Sequence, residues 1–338
     1  MGVSLMKQHT ILLLTIALVV LFTINGCSSH TITGKAIIER EPLIIIHQTW
    51  VGDGPIHLAD DLGYFDRYGV DVEILFVEEP QVRRALLSSK RADIVLETID
   101  MAVADIGAGI DLKMVALLDA SLGADGVIAT KEIQTLHDLK GKKIGAQKGE
   151  VPYFLLRYLM EKEGIPKNDV AFVDLFPDDA GLAFLSGDID AAGTWEPFLS
   201  RAKERSGGHV LVSSADAPGV IVDIMAVRPE VLQHRESEVQ AVMKAWYDAI
   251  EFIKKDPKTS YTLMAKKFDL TPEEYEGYVH GLKWNDIEES KAYFGTRDDK
   301  GRIFDITQTI SAIAYEDGII QVPIDEDVII EPALIQQI

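Results

Sequence analysis

The sequence predicts an α/β protein of two lobes, each a mostly parallel sheet flanked by helices, joined by a two-strand hinge. Three observations carry that expectation. Short apolar runs alternate with helical segments; the same order of strand, turn and proline-started helix returns about a hundred residues later; and a final return strand precedes a mostly helical remainder. Strands that alternate with helices imply parallel pairing through right-handed crossovers.

The first run, Leu43-Ile44-Ile45-Ile46, is apolar throughout, as in a strand buried on both faces. Gly52, Gly54 and Pro55 follow, with Pro55 placed to open a helix that carries Leu58 and Leu62 and stops at Gly63. A strand over 70–77, a helix over 81–89 and strands over 92–96 and 113–118 complete the first set. In the second set, 142–147 is a strand and Pro152 opens a helix over 152–163 that ends at Gly164. A strand over 170–176, a helix over 180–186 and strands at 191–192 and 210–212 follow. Ala85-Leu86-Leu87-Ser88 before Ala92-Asp93 echoes Ala183-Phe184-Leu185-Ser186 before Ile189-Asp190. After Gly219 come a return strand over 220–227 and a long amphipathic helix over 236–255. Thr271, Pro272 and Glu274 then form a capping box, and a further helix covers 306–315. The simplest path leaves lobe 1 near Ser121 and returns near Val220, giving lobe 1 residues 42–121 plus 220–338 and lobe 2 residues 122–219.

With 338 residues, 47% of them apolar and 26% charged, the chain can bury a core in each of two domains. A net charge of −21 argues against nucleic acid, which rewards a basic face, and against unaided contact with anionic lipid. The N-terminus supplies a dedicated anchor. Lys7 precedes an apolar stretch over 11–24 that ends in Asn25-Gly26-Cys27-Ser28-Ser29. At about 14 residues it has the length of a secretory signal and is short for a bilayer span. Residues 1–27 read as a signal peptide, with Met1 and Met6 both open as the start, and 28–41 as a tether. Cys27 is the single cysteine, which excludes an internal disulfide or a cysteine-rich metal or redox site. Its place after the apolar stretch resembles the lipidated cysteine of lipoproteins; the alternative is an uncleaved anchor helix.

In open parallel sheets, ligands bind beyond the carboxyl ends of the strands, at the starts of the following helices. That rule selects the turns at Trp50 and Gly52, at Thr98, at Ser121, at Tyr153, and at Trp195 and Glu196. Asp223, in the return strand near the crossover, and Asp125 join them. Trp50 and Trp195 would be apolar walls, or core. Exposed N–H groups at the helix starts near Pro55 and Pro152 suit an anionic group, and Asp125, Glu196 and Asp223 suit an amine. Glu196 ahead of Pro197 equally fits a helix cap, Asp223 a structural pair across the hinge, and Asp125-Gly126 a turn. The set suits a zwitterion or a nitrogenous small molecule better than a plain anion.

Catalytic constellations are missing from the sequence: there is no His-Glu-x-x-His, no Gly-x-Ser-x-Gly and no phosphate loop. The eight histidines are scattered without metal-ligand spacing, so neither a metal nor a cofactor is expected. Glu196 and Asp223 as an acid/base pair remain the enzymatic alternative.

Several motifs match a known family. Asp138-Leu139-Lys140-Gly141-Lys142-Lys143-Ile144-Gly145 is one. Another is Trp195-Glu196-Pro197-Phe198 after Gly187-Asp188-Ile189-Asp190-Ala191-Ala192, and a third is Val220-Ile221-Val222-Asp223-Ile224 before Val227-Arg228. With the stretch from Trp50 to Gly63-Tyr64-Phe65, they resemble the periplasmic binding proteins of the nitrate/sulfonate/taurine class of ABC transporters, over about 42–323. The resemblance implies a type II periplasmic-binding fold, an extracytoplasmic and membrane-tethered monomer, and delivery of a small sulfonate or zwitterion such as taurine to a permease and its ATPase. Carried over, the binding positions are Trp50, Thr98, Ser121, Tyr153, Trp195, Glu196 and Asp223, with the acid at Asp223 meeting an amine. The crevice turns hold no arginine, which departs from a sulfonate clamp. A pyrimidine precursor of thiamine stacked between Trp50 and Trp195 is the alternative ligand, and a receptor domain the alternative role. The enzymatic thiamine-pyrimidine branch of the superfamily uses a cysteine-rich motif that this chain lacks.

Overall fold

The computed structural model describes residues 41–338, which form one unit containing two sheets. The expected signal peptide over 1–27, the expected lipidation at Cys27 and the expected tether up to residue 40 lie outside the described residues.

The first sheet begins with β1 (Leu43–His47), whose run of apolar side chains is buried on both faces. Gly54 and Pro55 start α1 (Gly54–Asp61), and Gly63, in the left-handed region at φ 69°, turns the chain into α2 (Tyr64–Tyr68). Then come β2 (Val72–Phe76), α3 (Pro80–Ser88), β3 (Ile94–Thr98), α4 (Ile99–Gly107) and β4 (Lys113–Ser121). The chain crosses to the second sheet and forms β5 (Asp125–Ala129), β6 (Lys143–Gly145), α5 (Val151–Lys162), β7 (Ala171–Val173) and α6 (Pro177–Ser186). β8 (Ala191–Trp195), α7 (Phe198–Arg201) and β9 (His209–Ser213) complete it. β10 (Val222–Val227) re-enters the first sheet. The remainder is α8 (Pro229–Lys255), α9 (Pro257–Lys267), α10 (Pro272–Val279), β11 (Leu282–Trp284), α11 (Ile287–Phe294), α12 (Arg302–Glu316) and two short C-terminal helices.

The sheet orders are β11-β4-β10-β3-β1-β2 and β7-β6-β8-β5-β9. In the first sheet β1 to β4 run one way and β10 and β11 the other; in the second, β6 to β9 run one way and β5 alone reverses. β5 and β10 are the two strands by which the chain enters a sheet from the other one, so each is inserted antiparallel between two neighbours. This reversal positions the site. Parallel strands bring their carboxyl ends to the seam between the sheets, whereas β5 and β10 bring their amino ends, and with them Asp125 and Asp223.

Two local expectations need correction. Asp125-Gly126, read also as a turn, opens β5, which is buried along its whole length between β8 and β9. A strand of five residues covered on both faces has no polar–apolar alternation to reveal it. The helix expected from residue 236 instead begins at Pro229, with a break at Arg235 (φ −136°, ψ 26°), so the expected start marks the kink. The capping box at Thr271 and Glu274 is formed, with Thr271 Oγ1 accepting from Glu274 N at 3.2 Å.

The core is built on β3 and β10, which are buried throughout, and on one face of α8, where Trp246 and Val242 are fully covered. Burial of such side chains contributes about 1.5–3 kcal/mol each before entropy is counted.

Candidate functional site between the sheets

A cavity of about 540 Å³ lies where the ends of the two sheets face each other. That volume suits a small organic solute. Of the residues singled out from sequence, Trp50, Thr98, Asp125, Trp195, Glu196 and Asp223 line it. They come from both sheets: Trp50 follows β1, Thr98 ends β3 and Asp223 is the second residue of β10, while Asp125 begins β5 and Trp195 ends β8.

Gly52, Ser121 and Tyr153 do not line it. Gly52 lies in the turn before α1, where its carbonyl accepts from Trp284 Nε1 at 2.7 Å. It packs so closely that a Cβ would overlap Trp50 Nε1 and Asp119 Oδ2. Ser121 is buried with its Oγ 2.7 Å from Ser214 Oγ, tying the end of β4 to the turn after β9. Tyr153 faces the other way: its hydroxyl donates to Asp317 Oδ2 at 2.8 Å and its ring meets Phe172 edge-on.

Other lining residues were not singled out. Phe176 and Asp178, at the start of α6, hold Trp195 in place. Its Nε1 donates to Asp178 Oδ1 at 2.7 Å, and its ring stands at 81° to Phe176. The same carboxyl-end rule would have found them. Phe268, Leu270 and Tyr278 reach the cavity from the α9–α10 region, where no strand end signals them. Glu78 lines it after accepting from Thr49 N at 2.7 Å. Glu196 does two things at once: it faces the cavity, and its carboxylate accepts from Ser200 N and Ser200 Oγ at 3.1 and 2.9 Å.

The floor is acidic and buried. Asp223 stands in register with Asp119 on β4 and with Thr98 on β3, and Asp119, Asp125 and Asp223 are all buried. Burial, then Asp119 and Asp53, pushes Asp223 well above the usual carboxylate range. Burial and then Asp53 do the same to Asp119, and burial lifts Asp125 to about 7. Trp50 Nε1 donates to Asp119 Oδ1 at 3.4 Å. Behind them Asp53 pairs with His47 Nδ1 at 3.3 Å, and His47 meets His57 at 3.0 Å. Above the floor, α5 starts without a side-chain cap, which leaves backbone N–H groups open near Val151, whereas at the start of α4 the Asp100 carboxyl accepts from the N–H groups of Asp100 and Met101. Among the described residues, no group of three or more His, Cys, Asp or Glu is placed to hold a metal ion.

The comparisons agree with this architecture. The chain is 27% identical over 243 residues to a Bacillus subtilis (strain 168) protein named as an aliphatic sulfonates-binding protein, covering 70% of this chain and 72% of that one. The structure of the periplasmic aliphatic sulphonate binding protein SsuA from Escherichia coli is similar to it with a TM-score of 0.73 at 20% identity, over 86% of this chain and 92% of that one. SsuA from Xanthomonas axonopodis pv. citri, bound to MOPS, is similar with a TM-score of 0.68 at 20% identity, over 87% and 99%. The two-sheet α/β architecture is therefore the periplasmic-binding-protein fold expected from sequence. The family model described as NMT1/THI5 like matches residues 53–260, more than half of the sequence, and the chain belongs to that family.

Proposed function

We propose that this protein is the extracytoplasmic solute-binding component of an ABC-type importer, tethered to the membrane through Cys27, and that it performs no chemistry. Residues 42–121 with 220–338 and residues 122–219 act as two lobes that close over one small molecule and present the closed form to a permease and its ATPase. The observation that carries this reading is the cavity itself, lined from both sheets by Trp50, Thr98 and Asp223 on one side and Asp125, Trp195 and Glu196 on the other. Closing such a seam excludes water and strengthens every polar contact inside it.

The relatives named for sulfonates direct attention to small sulfonates and to zwitterions such as taurine. A zwitterion can place its ammonium on Asp223 and its sulfonate at the uncapped start of α5. A melting series with a panel of small sulfonates, amines and pyrimidines tests capture. A true ligand at a hundred times its Kd stabilises by about 2.7 kcal/mol, and a panel without any shift counts against the proposal. Intact-mass analysis of membrane-extracted protein tests the anchor; a full-length, unmodified chain rejects lipidation at Cys27.

The tryptophans favour a second reading, a nitrogenous heteroaromatic such as a thiamine pyrimidine precursor stacked between Trp50 and Trp195. Fluorescence quenching by the heteroaromatic and not by taurine would select it.

A further inference from the structure

From the charge and shape of the cavity we infer that its ligand is an organic cation, an amine whose positive group sits on Asp125 and Asp223 and whose apolar body fills the aromatic space above them, with no anionic group required. This rests on the solute-capture reading and narrows it.

Five carboxylates line the cavity: Glu78, Asp125, Asp178, Glu196 and Asp223. Among the described lining residues there is no lysine, arginine or histidine to balance them. The nearby buried cation is already committed, since Arg83 pairs with Asp105 at 2.8 Å and with Glu97 at 3.3 Å. The groups that act most on Asp223 are further acids: Asp119, Asp53, Asp125 and Asp100. Asp119, Asp125 and Asp223, buried together, cannot all ionise without a compensating charge. Protons can supply that charge, and a bound cation supplies it in their place.

One observation independent of the acids points to a guest. The walls around them are aromatic: Trp50, Trp195, Phe176, Phe198, Phe268 and Tyr278. Ring faces attract ammonium groups and cover apolar stems. A bare aliphatic sulfonate would face five carboxylates with only backbone N–H groups to hold it.

The test uses three probes with a two-carbon stem: phenethylamine (cation), taurine (zwitterion) and ethanesulfonate (anion). Isothermal titration of the ligand-stripped protein at pH 8 should give the tightest binding for phenethylamine, weaker binding for taurine and none for ethanesulfonate. Asp223→Asn and Asp125→Asn should each weaken phenethylamine about tenfold or more, with melting curves showing both variants folded. Phenethylamine binding that neither variant weakens overturns the inference. So does ethanesulfonate binding as tightly as phenethylamine. Binding of taurine or ethanesulfonate without phenethylamine removes the cation and leaves capture standing. Silence from all three counts against both.

Discussion

Asp223 on β10 stands directly opposite Asp119 on β4, two carboxyl groups in one rung of a buried ladder, with Asp125 acting on both from the second sheet. A structure selected only for stability would not keep this arrangement, because buried like charges resist ionisation and cost free energy at neutral pH. Such sites concentrate where a ligand is bound. Their cost should be visible in the empty protein.

The first consequence is an inverted pH profile. Burial lifts Asp125 and Glu150 to about 7 and Asp100 to about 6, while unfolded carboxyls titrate near ~4. The folded state therefore holds protons that the unfolded chain has released. Stability from these groups is fully present below ~4 and is lost as pH rises through about 7. Ligand-stripped protein should melt about 5 °C or more lower at pH 8 than at pH 5. Circular dichroism melts that are flat or rise across this window would contradict it. Below pH 4 the trend reverses, because the partners Arg157, Lys167 and Tyr153 hold Asp317 below the usual range against its burial.

Removing one charge should relieve the same strain. Asn at position 119 keeps a carbonyl oxygen for Trp50 Nε1 and deletes the charge opposite Asp223. Asp119→Asn should stabilise the empty protein at pH 8 by about 1–3 kcal/mol in urea denaturation, with little change at pH 4. An equal gain at both pH values would mean that charge is not the cause.

Much of this was legible in the sequence. The apolar run at 43–46, the proline-started helices and the echo between the two halves mark the elements, and the carboxyl-end rule finds Trp50, Thr98 and Trp195. The rule works because β1, β3 and β8 run in the common direction of their sheets. It is silent about β5 and β10, whose reversal follows from the chain crossing between sheets and cannot be read from local pattern. Asp223 stands out by its place in the return strand near the crossover and by the resemblance of the motif around it. Phe268 and Tyr278 arrive by helix packing across a long sequence separation, which no spacing encodes. Tyr153 misleads for a related reason: its place at a helix start is as expected, but α12 packs against that helix and claims its hydroxyl.

Gly52 is the position where a single methyl outside the lining should damage the site, by displacing a residue that lines it. A Cβ there would overlap both Trp50 Nε1 and Asp119 Oδ2, so one of them must move. Gly52→Ala should cost about 1–3 kcal/mol and shift the Trp50 emission, read in a background with the other three tryptophans replaced by phenylalanine. An unchanged spectrum and melting curve would show that the turn absorbs the methyl.

The Tyr153 network separates a structural role from a binding one. Asp317, whose side chain is 1% exposed, accepts from the Tyr153 hydroxyl, from Arg157 Nε at 2.9 Å and from Lys167 Nζ at 3.0 Å. It therefore fastens α5, beneath the second sheet, to the end of α12. Asp317→Ala leaves the buried Arg157 guanidinium with only the exposed Glu316 at 3.3 Å and should cost about 3 kcal/mol in chemical denaturation. Tyr153→Phe removes one hydrogen bond and should cost about 1 kcal/mol. Because its hydroxyl points away from the cavity, the same variant should bind phenethylamine and taurine within about twofold of the unsubstituted protein. A tenfold loss of affinity in Tyr153→Phe would instead place that hydroxyl on the ligand, and the fastening between α5 and α12 would then have to break during capture.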